Sequence, residues 1–463
     1  MSSAETKSFS AIEALPTELH DEIVSHLREN NVIYEQNHLL YHTEQDYDHT
    51  LRVFKLDFRQ RQSLDALISL RLTCKTLHRS ATRALLGQCV IPLFSMRQAS
   101  LQNMEELVSG EGILSSMTPA LNHVLFDLEP DYCDYRHCFG DIRTEMDRSL
   151  FGTFERVFPL VLAKLPIIQT LIVSIWTRCE YSMSEEVAPS LDLAIIAAFR
   201  NCLVTALGNT TLEHLTDLRL TLPCAYDFVA VGAALPDDMC ARLRRLYLGY
   251  VDATGPGGSE QYLVWRDSYG DGDEDVEFSN LQKLYPNEEY INALYSIVNR
   301  CPNLNSLGLS ATQHLDGDPL SGIPAAVKGL KDLYLYRVRI SHTGLIRLLS
   351  STSSDTSDPP NPITSAWLEA VELKSGTWKD IFEHLLHCSS FSYLCPKDLV
   401  YARDELSHQH KLYNSRPWED SGNIWTRHEP DQQSLRTLIR KLIDKAGGKE
   451  KYPGDKLVTD LWD

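Results

Sequence analysis

The sequence lacks any apolar run long enough to cross a bilayer. Its most apolar stretch, residues 160–176, is interrupted by Lys164, Pro166 and Gln169, whereas a membrane-spanning helix needs about 20 consecutive apolar residues. Residues 1–12 are polar and have no apolar centre of the kind that a signal peptide carries. We therefore expect no membrane partner and a cytoplasmic or nuclear location.

Basic charge is scarce. The chain has 44 Lys and Arg against 63 Asp and Glu, which gives a formal net charge of -19. Such a surface repels nucleic acid and anionic lipid unless a local basic patch intervenes. Because the sequence has no long basic run, we expect no nucleic-acid partner.

The pattern of cysteines does not indicate a disulfide framework. Their number, 11, is odd and their spacing is uneven, which favours reduced intracellular thiols over disulfides. Cys and His residues come close together at 133–138 and at 384–388, but neither group has a second group at a zinc-ligand spacing. The pattern predicts no metal site.

Familiar catalytic motifs are missing from the sequence. It has no Gly-x-Ser-x-Gly elbow, no Gly-Lys-Ser/Thr phosphate loop and no His-Glu-x-x-His helix. Asp271, Asp273 and Asp275 match the first spacings of an EF-hand loop, but Val276 and Gln282 replace its glycine and glutamate. We expect no catalytic residue and no cofactor, and hence a protein that is not an enzyme.

The first readable segment spans residues 13–87, after an N-terminus (1–12) that we expect to be flexible. Leu15, Leu19, Ile23 and Leu27 recur every four residues, which places an apolar stripe on one face of a helix. Pro16 suits the first helical turn, where a missing N–H costs nothing. Apolar residues at spacings of three or four predict a second helical block over 64–86.

These two blocks resemble an F-box. The resemblance lies in Leu-Pro-x-Glu-Leu-x-x-x-Ile-x-x-x-Leu at 15–27 and in Leu-Arg-Leu-Thr-Cys-Lys-x-Leu at 70–77. It implies a small helical domain that docks on the Skp-type adaptor of a cullin–RING ubiquitin ligase. The residues that the resemblance assigns to adaptor binding are Leu15, Pro16, Leu19, Ile23, Leu27, Leu70, Leu72, Cys74 and Leu77.

Two features depart from the F-box pattern. A polar insertion of 36 residues (28–63) separates the two blocks, and Leu77 stands where the family often has tryptophan. An amphipathic helical hairpin that caps a repeat array is the alternative interpretation.

From residue 88 to 396 a different pattern recurs, apolar-x-x-apolar-x-apolar. Its last two apolar positions are two residues apart, which is strand spacing, and stretches with helical periodicity separate the segments. The seven segments are Leu121/Val124/Phe126, Ile168/Leu171/Val173, Leu215/Leu218/Leu220, Leu243/Leu246/Leu248, Leu304/Leu307/Leu309, Leu330/Leu333/Leu335 and Leu368/Val371/Leu373.

This region resembles an irregular leucine-rich-repeat solenoid. The segments begin 26 to 61 residues apart, against roughly 20–29 in the regular family repeat. The resemblance implies an α/β fold of parallel strands and helices, with the helical F-box-like hairpin in front. A doubly wound α/β domain would also alternate strands and helices and stays open. The polar segment 397–463, with a helix expected at 431–445, is interpreted as a possible cap.

Side chains that alternate with the apolar strand positions are expected on the other face of the sheet. Tyr and Arg dominate binding hot spots, so we expect Tyr247, Tyr334, Tyr336, Arg337 and Arg339 to be exposed and to bind a target protein. The sequence thus predicts a substrate receptor of a ubiquitin ligase, with adaptor, cullin scaffold and an unknown target as partners. A leucine-rich-repeat scaffold without ligase association, or an α/β enzyme with an unrecognised site, are the alternatives.

Overall fold

The strands form one parallel sheet in the computed structural model of the chain. The structure describes residues 15–27, 47–48, 53–54, 67–72, 75–87, 90–94, 98–128, 145–174, 193–250, 280–323, 327, 329–350, 363–402, 424–426, 428–449 and 452. The strands of the sheet are β3 (Val90–Phe94), β4 (His123–Asp127), β5 (Thr170–Ser174), β6 (Asp217–Leu222), β7 (Arg245–Tyr250), β8 (Ser306–Asp316), β9 (Asp332–Ile340), β10 (Ser365–Glu369), β11 (Glu372–Leu373), β12 (Tyr393–Lys397) and β13 (Val400–Tyr401). A separate antiparallel pair, β1 (Tyr47–Asp48) and β2 (Val53–Phe54), lies in the insertion after the first helix.

Strand order distinguishes the two folds that the sequence left open. From β3 to β10 and then β12, every strand pairs with the next one along the chain, while the short β11 pairs with the end of β9 and with β13. A doubly wound sheet reverses its strand order at a switch point, and the described strands show no such reversal. The sheet therefore grows by one strand per repeat, as in a solenoid.

The helices follow the same order beside the sheet. Helices α4, α6, α7, α8 and α12 each pack on the next of the row, and α13, α14 and α15 continue in the same way. Their bounds are α1 (Thr17–Leu27), α2 (67–72), α3 (Lys75–Leu86), α4 (Gln98–Ser109), α5 (Gly112–Met117), α6 (Glu145–Ala163), α7 (Leu193–Asn209), α8 (Asp227–Ala234), α9 (Asp237–Arg242), α10 (Asn280–Leu284), α11 (Asn287–Tyr290), α12 (Asn292–Asn299), α13 (His342–Ser350), α14 (Trp378–His387) and α15 (Glu429–Ala446), with 3-10 turns at Thr118–Ala120 and Asp318–Gly322.

Leucines on one face of the sheet build the core against these helices. Within β6, Leu218, Leu220 and Leu222 have no exposed surface, and they belong to one continuous apolar cluster with helix residues such as Phe199 and Leu203. A single strand or helix could not bury such a face alone, so each repeat depends on its neighbours.

A backbone hydrogen-bond ladder holds successive repeats in register. The carbonyl oxygen of Asn122, just before β4, accepts hydrogen bonds from the N–H groups of Gln169 and Thr170, at 2.7 and 3.0 Å. The same pair of bonds recurs from each repeat to the next. The other carbonyl acceptors are those of Gln169, Thr216, Arg244, Asn305, Lys331 and Thr364.

The last repeat is closed by the C-terminal segment. The carboxylate of Asp431, at the start of α15, is fully buried and accepts hydrogen bonds from the Tyr401 hydroxyl (2.7 Å), the Thr426 hydroxyl (2.9 Å) and the Lys379 N–H (2.8 Å). These hydrogen bonds join α15 to α14 and β13. Burial beside the Asp431 carboxylate raises the pKa of Tyr401.

Tyr452 protects the edge of β12. Its hydroxyl accepts a hydrogen bond from the Leu394 N–H at 3.0 Å and donates one to the Leu394 carbonyl at 2.9 Å. One phenol thus satisfies the two backbone groups that a further strand would otherwise bind. Unpaired edges promote association between chains, and here a buried side chain prevents it at this position.

Most predicted elements are present, and the exceptions are informative. Six of the seven segments lie on strands as predicted, but the seventh, Leu368/Val371/Leu373, is wrong. Leu368 is in register with Leu335, the last position of the preceding segment, so the pattern in β10 is Ile363/Ala366/Leu368. Strands β3 and β12 were not predicted. Helix α15 fits the helix expected at 431–445, and β12 crosses the boundary expected at 396.

A left-handed residue recurs at the same position in three repeats, inside β9 and directly after β10 and β12. Arg337, Ala370 and Asp398 have positive φ angles of 55°, 49° and 50°, and each follows directly after one of the paired residues Tyr336, Glu369 and Lys397. The left-handed backbone is therefore a repeated feature, held by residues that have a Cβ atom and adopt it at a cost.

Replacing Ala370 by glycine should stabilise the protein. Relief of the left-handed strain exceeds the entropy that glycine adds to the unfolded chain, and we expect the free energy of unfolding to rise by about 0.5–1 kcal/mol. Urea unfolding followed by circular dichroism measures it. Ala198→Gly, inside α7, is the control and should lower stability by about 1 kcal/mol. Equal losses in both variants would contradict the strain argument.

Candidate protein-interaction surfaces

The first candidate surface is the N-terminal hairpin of α1, α2 and α3. The carbonyl of Pro16 accepts hydrogen bonds from the N–H groups of Leu19 and His20, at 3.1 and 3.2 Å, and so starts α1. A small core of Val24, Leu67 and Ala84 joins the helices. Across the hairpin the Arg83 guanidinium lies 3.0 Å from the Asp21 carboxylate, both half-exposed, so this pair contributes little stability.

Apolar side chains remain on the outside of this hairpin. Leu19 is 47% exposed, Ile68 39% and Leu72 80%. Among the described residues six large hydrophobic side chains are exposed, and these three all lie in the short hairpin. A concentration of apolar surface on so small a unit is typical of an interaction site.

The structure places the residues predicted for adaptor binding as follows. Pro16, Leu19 and Leu72 are exposed, Leu15 and Leu70 are half-buried, and Leu77 is buried inside the hairpin. Leu77 therefore does not belong to the exposed apolar surface, and the role of all nine residues in adaptor binding stays a prediction. Ile23 and Leu27 lie on α1, but their side chains and all of Cys74 lie outside the described part of the chain.

The hairpin is attached to the first repeats. The Asn122 side-chain amide donates a hydrogen bond to the Gly87 carbonyl, just after α3, at 3.3 Å. Helix α3 also packs on the 3-10 turn Thr118–Ala120, which leads into β4. The surface of the hairpin is thereby linked to the end of the repeat array.

The second candidate surface is the face of the sheet opposite the leucine core, which we call the second face. It carries the residues that alternate with the core leucines. Register aligns them in rows: Asp217 pairs with Arg245, Arg219 with Tyr247, and Tyr334 with Trp367. Neighbouring members of a row are about 4.8 Å apart, so their side chains interact directly.

A buried ionic cluster occupies the second face at β6 and β7. The Arg219 guanidinium forms two bonds to the Asp217 carboxylate, at 2.8 and 3.2 Å, and Arg245 Nε lies 3.0 Å from the same carboxylate. Burial alone would raise the pKa of Asp217, but the charges of Arg219 and Arg245 hold it below its usual value. Asp217 thus stays ionised and offsets part of the positive charge of the two arginines.

His123 extends this cluster to β4 and β5. Its Nδ1 atom lies 2.8 Å from the Thr170 hydroxyl. Burial lowers the pKa of His123 to about 4; the charge of Asp217 works against this shift, and those of Arg245 and Arg219 add to it. The imidazole is therefore neutral at physiological pH.

An aromatic row follows on β7, β9 and β10. The ring centroids of Tyr247 and Tyr334 are 6.0 Å apart, and those of Tyr334 and Trp367 6.1 Å. Tyr247 and Tyr334 stand on strands that are separated by β8, where the intervening position is Gly308. The two rings can approach each other because Gly308 has no side chain between them.

The residues predicted for target binding are less accessible than expected. The exposure expected of Tyr334 and Arg337 is wrong, since they are only 1% and 5% exposed. Tyr247 and Tyr336 are half-buried, and the half-buried Arg339 forms a 2.8 Å ion pair with Glu372. The binding role of all five stays a prediction.

Sequence reasoning missed several members of the second face. Trp367 donates a hydrogen bond from Nε1 to Glu369 at 3.2 Å, and Glu369 forms an ion pair with Lys397. These residues were overlooked because the seventh segment was placed out of register. A search for Ile363/Ala366/Leu368 with the same spacing would have placed Trp367 beside Tyr334.

Other candidate sites find no counterpart in the described residues. Within these ranges no group of three or more His, Cys, Asp or Glu residues is arranged to hold a metal ion. No helix there has the length and apolarity to cross a membrane. The acidic segment 254–277 and the Cys and His residues at 133–138 lie outside the described residues.

No protein-family model and no curated protein sequence matches this chain. Among solved structures, it is similar to the leucine-rich repeat-containing protein LegL7 from Legionella pneumophila. The identity is 12% and the TM-score 0.30, and the match covers 77% of this chain and 98% of the other.

Titration of His123 should destabilise the protein in acid. Between the usual pKa of 6.5 and about 4, the unfolded chain binds a proton that the folded chain does not. Stability therefore falls as the pH is lowered through this window, by about 3 kcal/mol for the full shift. Urea unfolding between pH 7 and pH 4 measures it.

His123→Gln should remove this contribution, so that its stability falls less steeply than that of the wild type. His78→Gln, at an exposed position on α3, is the matched control and should keep the wild-type slope. If all three proteins show parallel slopes, His123 does not resist protonation in the fold.

Proposed function

We propose that this chain is the substrate-recognition subunit of a cullin–RING ubiquitin ligase. In this proposal the hairpin of α1, α2 and α3 binds the Skp-type adaptor, and the repeat array binds a target protein. The chain itself makes and breaks no bond. It accelerates transfer by holding a lysine of the target near activated ubiquitin on another subunit.

The exposed apolar surface of the hairpin carries the proposal. Leu19 and Leu72 project from helices whose own small core, around Val24 and Leu67, is already filled. Burying a fully exposed leucine is favourable by roughly 1.5–3 kcal/mol, and the exposed fractions of Leu19 and Leu72, 47% and 80%, would gain a corresponding share in a partner. The F-box-like order of Leu15, Pro16 and Leu19 supports a Skp-type adaptor as that partner.

The array supports a role in target binding by its architecture. Stacked repeats present long rows of side chains at fixed spacing, the arrangement by which solenoids bind extended partners. Of the residues predicted to meet the target, Tyr247, Tyr336 and Arg339 are the half-buried ones. They are the members that we assign to target contact.

A repeat scaffold that never meets a ligase is the second candidate. The array favours it, because it has its own continuous core and its last repeat is covered by α15 and Tyr452. The two candidates differ only in what the hairpin binds. Recovery of the adaptor therefore discriminates between them.

The test is co-purification with the Skp-type adaptor and titration by calorimetry. Leu19→Asp should weaken binding by roughly 30-fold, about 2 kcal/mol, as expected for a hot-spot residue. Leu160→Asp is the matched control, since Leu160 on α6 is 48% exposed against 47% for Leu19. It should bind the adaptor like the wild type.

Both substitutions are at exposed positions, so thermal unfolding should change little. A Leu15→Ala/Pro16→Ala double variant tests the same surface independently and should also recover less adaptor than the wild type. Equal adaptor recovery by all four proteins, or recovery by none, would leave the repeat scaffold as the better description.

A further inference from the structure

One stretch of this acidic chain carries charge of the opposite sign only. Residues 66–104 contain five basic residues and no Asp or Glu, whereas the chain as a whole has a formal net charge of -19. The basic residues are Arg71, Lys75, Arg79, Arg83 and Arg97. Four of them belong to α2 and α3, so the positive charge lies in the hairpin that also exposes apolar side chains.

Two of these arginines border Leu72, which is 80% exposed. Arg71 precedes Leu72 at the end of α2 and is itself exposed. The His78 imidazole donates a hydrogen bond from Nδ1 to the Arg71 carbonyl at 3.1 Å, which holds the first turn of α3 beside the end of α2. Arg79, the next residue, is exposed as well. Arg71, Leu72 and Arg79 therefore share one corner of the hairpin, which we call the arginine corner.

The arginine corner carries positive charge that the described residues do not balance. Arg83, one turn after Arg79, lies 3.0 Å from the Asp21 carboxylate of α1. Neither Arg71 nor Arg79 has such a partner among the residues that the structure describes. Guanidinium groups form strong paired hydrogen bonds with carboxylates. These two are therefore available to carboxylates on another molecule.

The other exposed leucine of the hairpin has a neighbour of opposite charge. On α1 the exposed Glu18 directly precedes Leu19, which is 47% exposed. The hairpin thus presents one leucine beside a carboxylate and another beside arginines. A partner that bound in the reversed orientation would bring like charges together, which opposes binding. The charge pattern therefore favours one docking orientation as well as an acidic partner surface at Leu72.

We propose that Arg71 and Arg79 bind carboxylates of the protein that covers Leu72. In this proposal the surface opposite the arginine corner is an apolar groove bordered by acidic residues. The inference rests on the proposed function, because the adaptor is the partner assigned to the hairpin. It adds the sign of the adaptor's charge at this contact and the orientation in which the adaptor docks.

Phosphate-rich partners would also attract exposed arginines, but the surroundings of the arginine corner favour a protein. The net charge of -19 repels a nucleic acid or an anionic membrane, whereas a protein can contact the corner alone. Ile68 and Leu72, one turn apart on α2 and both exposed, also lie on one helix face. An apolar groove with an acidic border matches both the leucine and the arginines.

The experiment measures binding of the full chain to the Skp-type adaptor by calorimetry, in about 50 mM and about 500 mM sodium chloride. Arg71→Glu/Arg79→Glu should bind roughly 10-fold more weakly than the wild type in low salt, because two attractive contacts become repulsive. The difference should narrow to about threefold in high salt, which screens exposed charges. Leu72→Ala removes only apolar contact, so its loss of affinity should be the same in both salts.

Arg347→Glu/Arg440→Glu is the matched control. Both arginines are exposed, one on α13 and one on α15, and the variant changes the net charge of the chain by the same amount. It should bind the adaptor like the wild type in both salts. All four positions are on the surface, so thermal unfolding should change little in either charge variant.

Equal affinities of the two charge variants would overturn the inference, and the proposed function would still stand if Leu19→Asp loses the adaptor. A wild type that does not bind the adaptor would overturn both. Vesicles of phosphatidylserine with phosphatidylcholine and a DNA duplex test the other partner classes. If Arg71→Glu/Arg79→Glu abolishes binding to either of them but leaves adaptor binding unchanged, the arginine corner binds phosphates and the proposal is wrong.

Discussion

The backbone ladder at the start of each strand is the constraint on which the rest of the structure depends. From β4 to β10, one carbonyl just before the strand accepts two N–H groups from the next repeat, as Asn122 does from Gln169 and Thr170. These bonds fix where every strand begins relative to its neighbour. Loops of very different length then become tolerable, because extra residues cost little once the strand starts are fixed.

Because the register is fixed, residues at the same position of successive strands form a row across the sheet. Each side chain in a row must be compatible with its two neighbours. Like charges at about 4.8 Å would repel, so the second face places ions of opposite charge beside each other. Asp217 stands between Arg219 and Arg245, and Glu369 beside Lys397. Bulky rings face the same restriction, which Gly308 relieves between Tyr247 and Tyr334.

The row arrangement explains how much of the fold could be predicted from the sequence. Leucine at all three core positions made β6 to β9 predictable. In the seventh segment Ala366 takes a position that leucine holds elsewhere, and the pattern was moved to Leu368, Val371 and Leu373 instead. Strand β3 was missed because a register shift between Pro92 and Phe94 changes its apolar spacing. Strand β12 was missed because Pro396 takes the third apolar position, opposite Leu368, and proline is tolerated where a strand lies at the edge of a sheet.

The candidate surfaces were predictable in part, for a related reason. Periodicity identifies the face of a helix, and so the apolar stripe containing Leu19 could be named from sequence. Whether a side chain on the second face is exposed depends on its neighbours in the row, which lie on strands far apart in sequence. Tyr334 and Arg337 look like hot-spot residues one by one, yet they are buried.

The two ends of the array differ in a way that bears on its use. At the C-terminal end, Tyr452 takes the place of a neighbouring strand on β12, and Asp431 fastens α15. At the N-terminal end, Asn122 ties Gly87, and with it the apolar hairpin, to the first repeats. A receptor that works by proximity needs a defined distance between its docking module and its target surface. Under the proposed function, the tie between the exposed apolar hairpin and the first repeats would set that distance through fixed backbone geometry.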